Sequence, residues 1–329
     1  MNCSVLDTAE SSLVFWITAF AGMTNPRQAA GNETNRDSRM IQDTRTALEM
    51  KIQEKARSIK DLVGRDVRVL DENHADSLGR ELGLSLLEIF KATLRLDIYP
   101  YRYLRNRESI SLHDQLKLAE SKVAVVGAGG LGGTVIQLLG RIGVGRLTVV
   151  DSDFFDETNL NRQAFCTADW VGQSKALAVQ AQMRLINPAA EVIAHNIRLD
   201  STNGAEILAG CHVIVDALDS VKDRLTLEAM SKSLGVPFIH GALAGFEGQL
   251  LTVFPDDPGL KQIYGNGEQG GDAANRPEFL LGVPSITPSL VATLEAMEVL
   301  KILLNRGTPF RNKLVYIDLE RGEWNRFGL

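Results

Sequence analysis

Gly127-Ala-Gly-Gly-Leu-Gly-Gly133 stands where the apolar run Val123-Ala-Val-Val gives way to the helical stretch Leu131 to Arg141. Glycines at such a junction let the backbone turn tightly and approach a phosphate, and the free N–H groups of a helix start supply donors. Gly127, Gly129, Gly130 and Gly132 are therefore candidate nucleotide contacts. Asp151 closes the next strand, Leu147-Thr-Val-Val-Asp, where a carboxylate about 20 residues beyond the glycines can accept hydrogen bonds from both ribose hydroxyls. These residues point to adenosine. By themselves they favour NAD as readily as ATP.

The residues that separate the two cofactors come next. They are Asn159 and Arg162 in Asn159-Leu-Asn-Arg-Gln163, Lys175 in Gly172-Gln-Ser-Lys, and Asp219 at the end of Val213-Ile-Val-Asp-Ala-Leu-Asp. Hydride transfer has no use for two cations and a second strand-end acid beside the phosphates. Nucleotidyl transfer does: cations neutralise charge developing on the α-phosphate and pyrophosphate, and a carboxylate holds magnesium. Each has a plainer alternative, Arg162 as a surface charge, Lys175 as a solvated helix-start residue, Asp219 as an N-cap. Their order and spacing favour ATP with Mg2+ on Asp219.

The elements that must carry these groups alternate strand and helix. Strands are expected at Val123–Gly127, Leu147–Asp151, Val192–Asn196, Val213–Ala217 and Phe238–His240, with helices at Leu131–Arg141, Lys175–Ile186 and Asp223–Leu234 between them. That pattern predicts a Rossmann-like, doubly wound, mostly parallel α/β sheet. A C-terminal β section begins at Gln249–Phe254 and ends at Leu314–Ile317, after a helix over Ser289–Leu304. Between them, 255–288 is rich in Pro and Gly, with no periodic element, and is expected to be a mobile crossover or flap covering the site. Upstream, apolar residues recur at three- and four-residue intervals over Ala47–Val63 and Leu78–Leu96, which predicts a helical appendage across 41–98, with Ser77 and Ser85 as candidate N-caps. The domain itself is expected over 99–329.

Residues 1–40 differ from the rest. An isolated aromatic run, FWITAFAGMT, resembles the translated product of a dispersed bacterial DNA repeat, and an Asn- and Arg-rich stretch follows without helical or strand period. The expectation is a disordered or mis-assigned extension, with Met40 as the start. Leu13 to Met23 is too short to span a bilayer and follows Asp7 and Glu10 where a signal peptide carries positive charge, so neither membrane nor export is expected. The 329 residues, 44% hydrophobic with a net charge of −6, lack the basic excess of a nucleic-acid partner. The three cysteines, Cys3, Cys166 and Cys211, form no Cys-x-x-Cys pair; a reducing cytoplasm and no zinc are expected.

Arg102-Tyr-Leu-Arg-Asn, the glycine motif, Val150-Asp-Ser-Asp, Asn159-Leu-Asn-Arg-Gln, Gly172-Gln-Ser-Lys175, Ile186-Asn-Pro, Asp216-Ala-Leu-Asp219, Gly245-Phe-Glu-Gly-Gln and Leu294-Glu-Ala-Met-Glu-Val-Leu-Lys together resemble the ThiF/MoeB/HesA family, the ubiquitin-activating-enzyme-like sulfur-carrier adenylyltransferases. The resemblance runs from about Tyr99 to Leu329. It implies ATP-dependent adenylylation of the C-terminal glycine carboxylate of a MoaD- or ThiS-like carrier ending in Gly-Gly, as in molybdopterin, tungstopterin or thiamine synthesis. It implies backbone amides around Gly130 against the nucleotide, Asp151 on the ribose, Asn159, Arg162 and Lys175 on the phosphates, and Asp219 on magnesium. Arg105 matches a family arginine that reaches the phosphates from the other subunit of a homodimer.

Departures from the family pattern also carry information. Many members hold zinc on two Cys-x-x-Cys pairs, and some carry a crossover cysteine that forms a thioester or persulfide; this chain has no cysteine after Cys211. It therefore resembles the zinc-less subgroup. A separate sulfur donor is implied, Cys166 reads as structural, and Asn106 stands where the family commonly has Gln. Three alternatives remain at this point: an NAD-dependent oxidoreductase, a relative adenylylating a tRNA or peptide, and an inactive partner subunit, which would have lost Arg162, Lys175 or Asp219.

Overall fold

The computed structural model describes residues 45–265 and 277–329. The expectation for 1–40 lies outside the described residues, as does 266–276 of the expected flap. Internal contacts divide the chain into one unit ending at Tyr101 and another over Arg102–Leu329, against an expected boundary between 98 and 99.

The first unit is mixed α/β where helices alone are expected. Helix α1 spans 45–55, and the chain then forms a hairpin of β1 (Arg57–Lys60) and β2 (Asp66–Leu70). The helix expected over 47–63 ends at 55, and the rest of that stretch is β1 and the hairpin turn, where the Asp61 carboxylate accepts from the amides of Val63 (3.0 Å) and Arg65 (2.8 Å). Helices α2 (Glu72–Leu82) and α3 (Leu86–Arg95) follow, and Gly83, the left-handed C-cap of α2, divides the expected stretch 78–96 between them. Ser85 is the N-cap of α3 in a full capping box, its amide donating to the Glu88 carboxylate at 2.8 Å and its hydroxyl accepting from the Glu88 amide at 3.3 Å. Ser77, by contrast, lies inside α2, whose N-cap is Asp71. A two-residue β3 (Tyr99–Pro100) pairs parallel with β2.

The second unit runs α4 (Leu112–Glu120), β4 (Lys122–Val126), α5 (Gly130–Ile142), β5 (Arg146–Val150), α6 (Lys175–Ile186) and β6 (Glu191–His195). It continues with β7 (Val213–Asp216), α7 (Val221–Ser233), β8 (Phe238–Ala244), β9 (Glu247–Val253), α8 (Ile286–Leu304), β10 (Lys313–Asp318) and β11 (Glu323–Gly328). The sheet order is β6-β5-β4-β7-β8-β9-β10-β11, parallel from β6 to β8 and antiparallel beyond. This is the doubly wound arrangement with a C-terminal β extension that the strand and helix pattern predicts. The central strands are near-continuous Val, Ile, Leu and Ala because both faces are covered. Val123 and Val125 of β4 face a core shared with α5, α6 and α8, whereas Ala124 and Val126 face the one shared with α7. Among the described residues no helix is long and apolar enough to cross a membrane.

Among the buried polar residues of the described chain, Glu295 stands apart. Glu295 of α8 is fully buried, and neither carboxylate oxygen has a hydrogen-bond partner. Burial, reinforced by the Asp216 carboxylate, pushes its pKa well above the usual carboxylate range, so the folded chain holds it protonated. A group whose folded pKa is raised contributes stability that is present below its unfolded pKa and lost as pH rises through the folded one. Glu295→Gln, which cannot ionise, should therefore raise the melting temperature more at pH 8 than at pH 5, by at least about 2 °C more. Equal shifts at the two pH values in a thermal melt would remove the protonated-acid assignment.

Candidate active site

The strand order reverses between β4 and β7, the position at which open α/β sheets bind ligands beyond the carboxyl ends of their strands. Two loops meet there. Gly127 follows β4 with φ +98°, a left-handed conformation that favours glycine, and a Cβ on it would overlap the Ala217 carbonyl beyond β7. A Cβ on Gly132 would overlap the Gly127 carbonyl oxygen and meet the Ala217 methyl. These two glycines therefore serve close approach between the loops. Gly129 and Gly130 open α5 and leave room for a ligand at its first amides.

Asp151 buttresses the glycine loop: its Oδ2 accepts from the Ala128 amide at 2.6 Å and its Oδ1 from the Asp153 amide at 2.7 Å. Each oxygen keeps a second lone pair, which suits a ribose. Burial pushes the Asp151 pKa up; the two amides and the nearby Lys175 charge pull against that shift.

The turn after β5 brings in the phosphate candidates. Asn159 is 8% exposed; its Oδ1 accepts from the Asp156 amide at 3.1 Å and caps the turn, and its Nδ2, which donates to Thr158 Oγ1 at 3.5 Å, has a second N–H to offer a ligand. The Arg162 stem lies beside Gly130, and its Nη1 donates to the Thr158 carbonyl (2.9 Å) and Asn161 Oδ1 (2.8 Å). Lys175 begins α6 behind the Ser174 N-cap and is 8% exposed, with Nζ 3.0 Å from Asp153 Oδ2. Asp153 in turn gives its amide to Asp151, so Lys175 is tied through Asp153 and Asp151 to the same glycine loop that the Arg162 stem lies beside. Cys166 is buried, its sulfur 3.8 Å from the Asp156 carbonyl.

Asp219 stands exposed two residues beyond Ala217. The glycines, Asp151, Asn159, Arg162, Lys175 and Asp219 thus surround one helix start and the loop touching it. Arg105 does not join them. Its turn is tied to the far end of α5, where Asn106 Nδ2 donates to Gln115 Oε1 (3.1 Å) and Gln115 Nε2 donates to the Ile142 carbonyl (2.8 Å). Thirteen helical residues put that end roughly 18 Å from Gly130.

Several residues here escaped the sequence reading. Gln163 lies against Gly129, and its buried Oε1 has no hydrogen-bond partner, an acceptor that a ligand hydroxyl or amino group would satisfy. That orphan acceptor and the open start of α5 fit a bound nucleotide. Asp153 pairs with Lys175, and Asp216, Arg224, His240, Gln249 and Tyr264 form a buried polar network behind Asp219. Among the described residues no group of three or more His, Cys, Asp or Glu is arranged to hold a metal ion. Magnesium needs fewer protein ligands, one or two carboxylates plus phosphate oxygens, and the exposed Asp219 fits that role.

Residues 103–329 match the model of the ThiF family. The chain is 36% identical over 229 residues to the SAMP-activating enzyme E1 of Haloferax volcanii, across 69% of this chain and 84% of that protein. It is 35% identical over 210 residues to the sulfur carrier protein adenylyltransferase of Thermus thermophilus, across 62% of this chain and 77% of that one. Among solved structures, E. coli MccB with AMPCPP and selenomethionine MccA shares the fold at a TM-score of 0.57 and 19% identity, over 69% of this chain and 71% of MccB.

Proposed function

Because the chain belongs to the ThiF family and is an adenylyltransferase, we propose that it joins the α-phosphate of ATP to the C-terminal glycine carboxylate of a ubiquitin-like sulfur carrier. The observation that carries this reading is the linkage of Lys175 through Asp153 and Asp151 to the glycine loop, with the Arg162 stem beside Gly130 and the Asp219 loop packed against the same glycines. Hydride transfer has no use for that set, and the oxidoreductase alternative falls with the family assignment.

The reaction needs no enzyme nucleophile. A carrier carboxylate oxygen bonds to the α-phosphorus as the bond to the pyrophosphate oxygen breaks, which leaves an acyl-adenylate and pyrophosphate. The protein contributes alignment and charge. Asp151 orients the ribose through its remaining lone pairs, and the first amides of α5 meet the phosphates. Lys175 and Arg162 offset the negative charge that moves onto pyrophosphate, and the Asn159 amide nitrogen donates to the same oxygens. Magnesium, bound through Asp219, would supply further charge neutralisation there.

The position of Arg105 supports a homodimer. An arginine side chain is too short to cross the length of α5 to its own glycine loop, so an Arg105 that serves catalysis serves a second subunit. Sulfur would come from a separate donor, and the carrier would belong to molybdopterin, tungstopterin or thiamine synthesis.

The test is magnesium-dependent exchange of labelled pyrophosphate into ATP, with and without each ubiquitin-like Gly-Gly-terminated protein of the same genome. One carrier should stimulate exchange at least about tenfold, or roughly 1.4 kcal/mol. Exchange stimulated by none of them would leave the family chemistry with a different acyl substrate.

A further inference from the structure

We propose that Tyr264 and His240 are positioning residues that lock the peptide immediately before Asp219 and so fix the metal-binding carboxylate; the metal part of this inference rests on the reading of Asp219 given above. The Tyr264 hydroxyl lies 2.8 Å from Gln249 Nε2, 3.2 Å from Arg224 Nη1 and 3.0 Å from His240 Nε2. A hydroxyl has one proton and two lone pairs. Gln249 Nε2 and the Arg224 guanidinium can only donate, so they occupy both lone pairs and the hydroxyl proton goes to His240 Nε2. The ring proton of His240 then sits on Nδ1 and donates to Asp216 Oδ2 at 2.7 Å. The chain of donors is fully determined, and it ends on Asp216.

Asp216 and Arg224 hold the two peptide units that flank Leu218, one on each side of that residue. Asp216 Oδ1 accepts from the Leu218 amide at 3.0 Å, and Arg224 donates to the Leu218 carbonyl through Nε (3.0 Å) and Nη2 (2.6 Å). Residue 218 is thereby clamped at both its N–H and its C=O, and Asp219 is the next residue. Each jaw of the clamp is in turn held through Tyr264, Asp216 by way of His240 and Arg224 directly. The charge count agrees: the Arg224 guanidinium balances the Asp216 carboxylate, His240 is neutral because burial lowers its pKa, and Glu295 is protonated. Each polar atom in the relay from Tyr264 to Leu218 has a partner, and such networks fix geometry when complete.

Removing the Tyr264 hydroxyl leaves His240 Nε2, Gln249 Nε2 and one Arg224 donor without this partner while keeping the ring. Tyr264→Phe is therefore expected to raise hydrogen exchange at the amides of 217–219 at least about tenfold, and to raise the magnesium concentration that half-saturates binding of a non-hydrolysable ATP analogue about tenfold. Its melting temperature should fall by several degrees while the cooperative transition is kept, so the chain remains folded under the assay conditions. His240→Asn, whose amide can still donate to Asp216, should fall between Tyr264→Phe and wild type in both readouts, which a purely space-filling role would not produce. Asp219→Ala serves as the reference. If it binds the analogue with wild-type magnesium dependence, the metal reading fails; if it loses that dependence and Tyr264→Phe keeps it, the positioning role alone fails. Wild-type exchange at 217–219 in Tyr264→Phe overturns the clamp whatever Asp219 does.

Discussion

Asp219→Ala is expected to lower magnesium-dependent ATP–pyrophosphate exchange by about 10³-fold or more, and to leave the chain folded. The side chain is exposed, so its truncation removes no core packing and should change stability by no more than about 0.5 kcal/mol. Its chemical loss is larger. A magnesium ion neutralising the phosphates is worth several kcal/mol in the transition state, and each 1.36 kcal/mol is tenfold in rate. Four carboxylates near the glycine loop have structural duties: Asp151 accepts two amides, Asp153 pairs with Lys175, Asp156 caps its turn, and Asp216 holds His240 and the Leu218 amide. Exchange kinetics across a magnesium titration, beside a circular-dichroism melt, check both halves of the expectation. Wild-type exchange in a folded variant would remove Asp219 from the metal site.

Much of the large unit was legible because its core strands are covered on both faces. Val123-Ala-Val-Val-Gly and Leu147-Thr-Val-Val-Asp read as strands from their apolar runs, each one residue beyond the observed bounds, and α6 was expected at the bounds observed. Failures occurred where burial is slight. β11 is exposed along its whole length and reads Glu-Trp-Asn-Arg-Phe-Gly, with no apolar alternation; only its pairing with β10 makes it a strand. The hairpin of β1 and β2 has charged residues at its ends and in its turn, and Asp61, rather than a glycine pair, turns the chain. In the candidate site, residues carried by local motifs were visible: glycines at a strand end, Asp151 closing a strand, Arg162 and Lys175 in fixed order. The polar network was not. His240 meets Asp216 and Tyr264 each 24 positions away, and Arg224 meets Tyr264 across 40, so no spacing signal reports contacts that depend on how β7, β8 and the chain beyond β9 stack. Inner-face histidines on a strand look like ordinary strand residues until their partners are known.

The same separation of ends decides how Arg105 should behave. Its turn is held at the C-terminal end of α5 through Asn106 and Gln115, while the candidate phosphates lie at the N-terminal end. An isologous dimer built so that the turn of one copy covers the glycine loop of the other would make every site a composite of two chains. Arg105→Ala alone should then lower exchange by about 10²-fold, the scale of losing one charged contact that strengthens in the transition state. Mixed with Asp219→Ala it should be rescued. In a heterodimer of the two variants, one site lacks both groups, but the other pairs an intact Asp219 with the partner subunit's intact Arg105. Half the dimers are mixed after random exchange at equal amounts, and each has one working site of two, so activity should return to about one quarter of wild type. An arginine acting within its own chain gives no intact site in any combination and no rescue. Tagged copurification, to verify that mixed dimers formed, makes an absence of rescue decisive against the shared site.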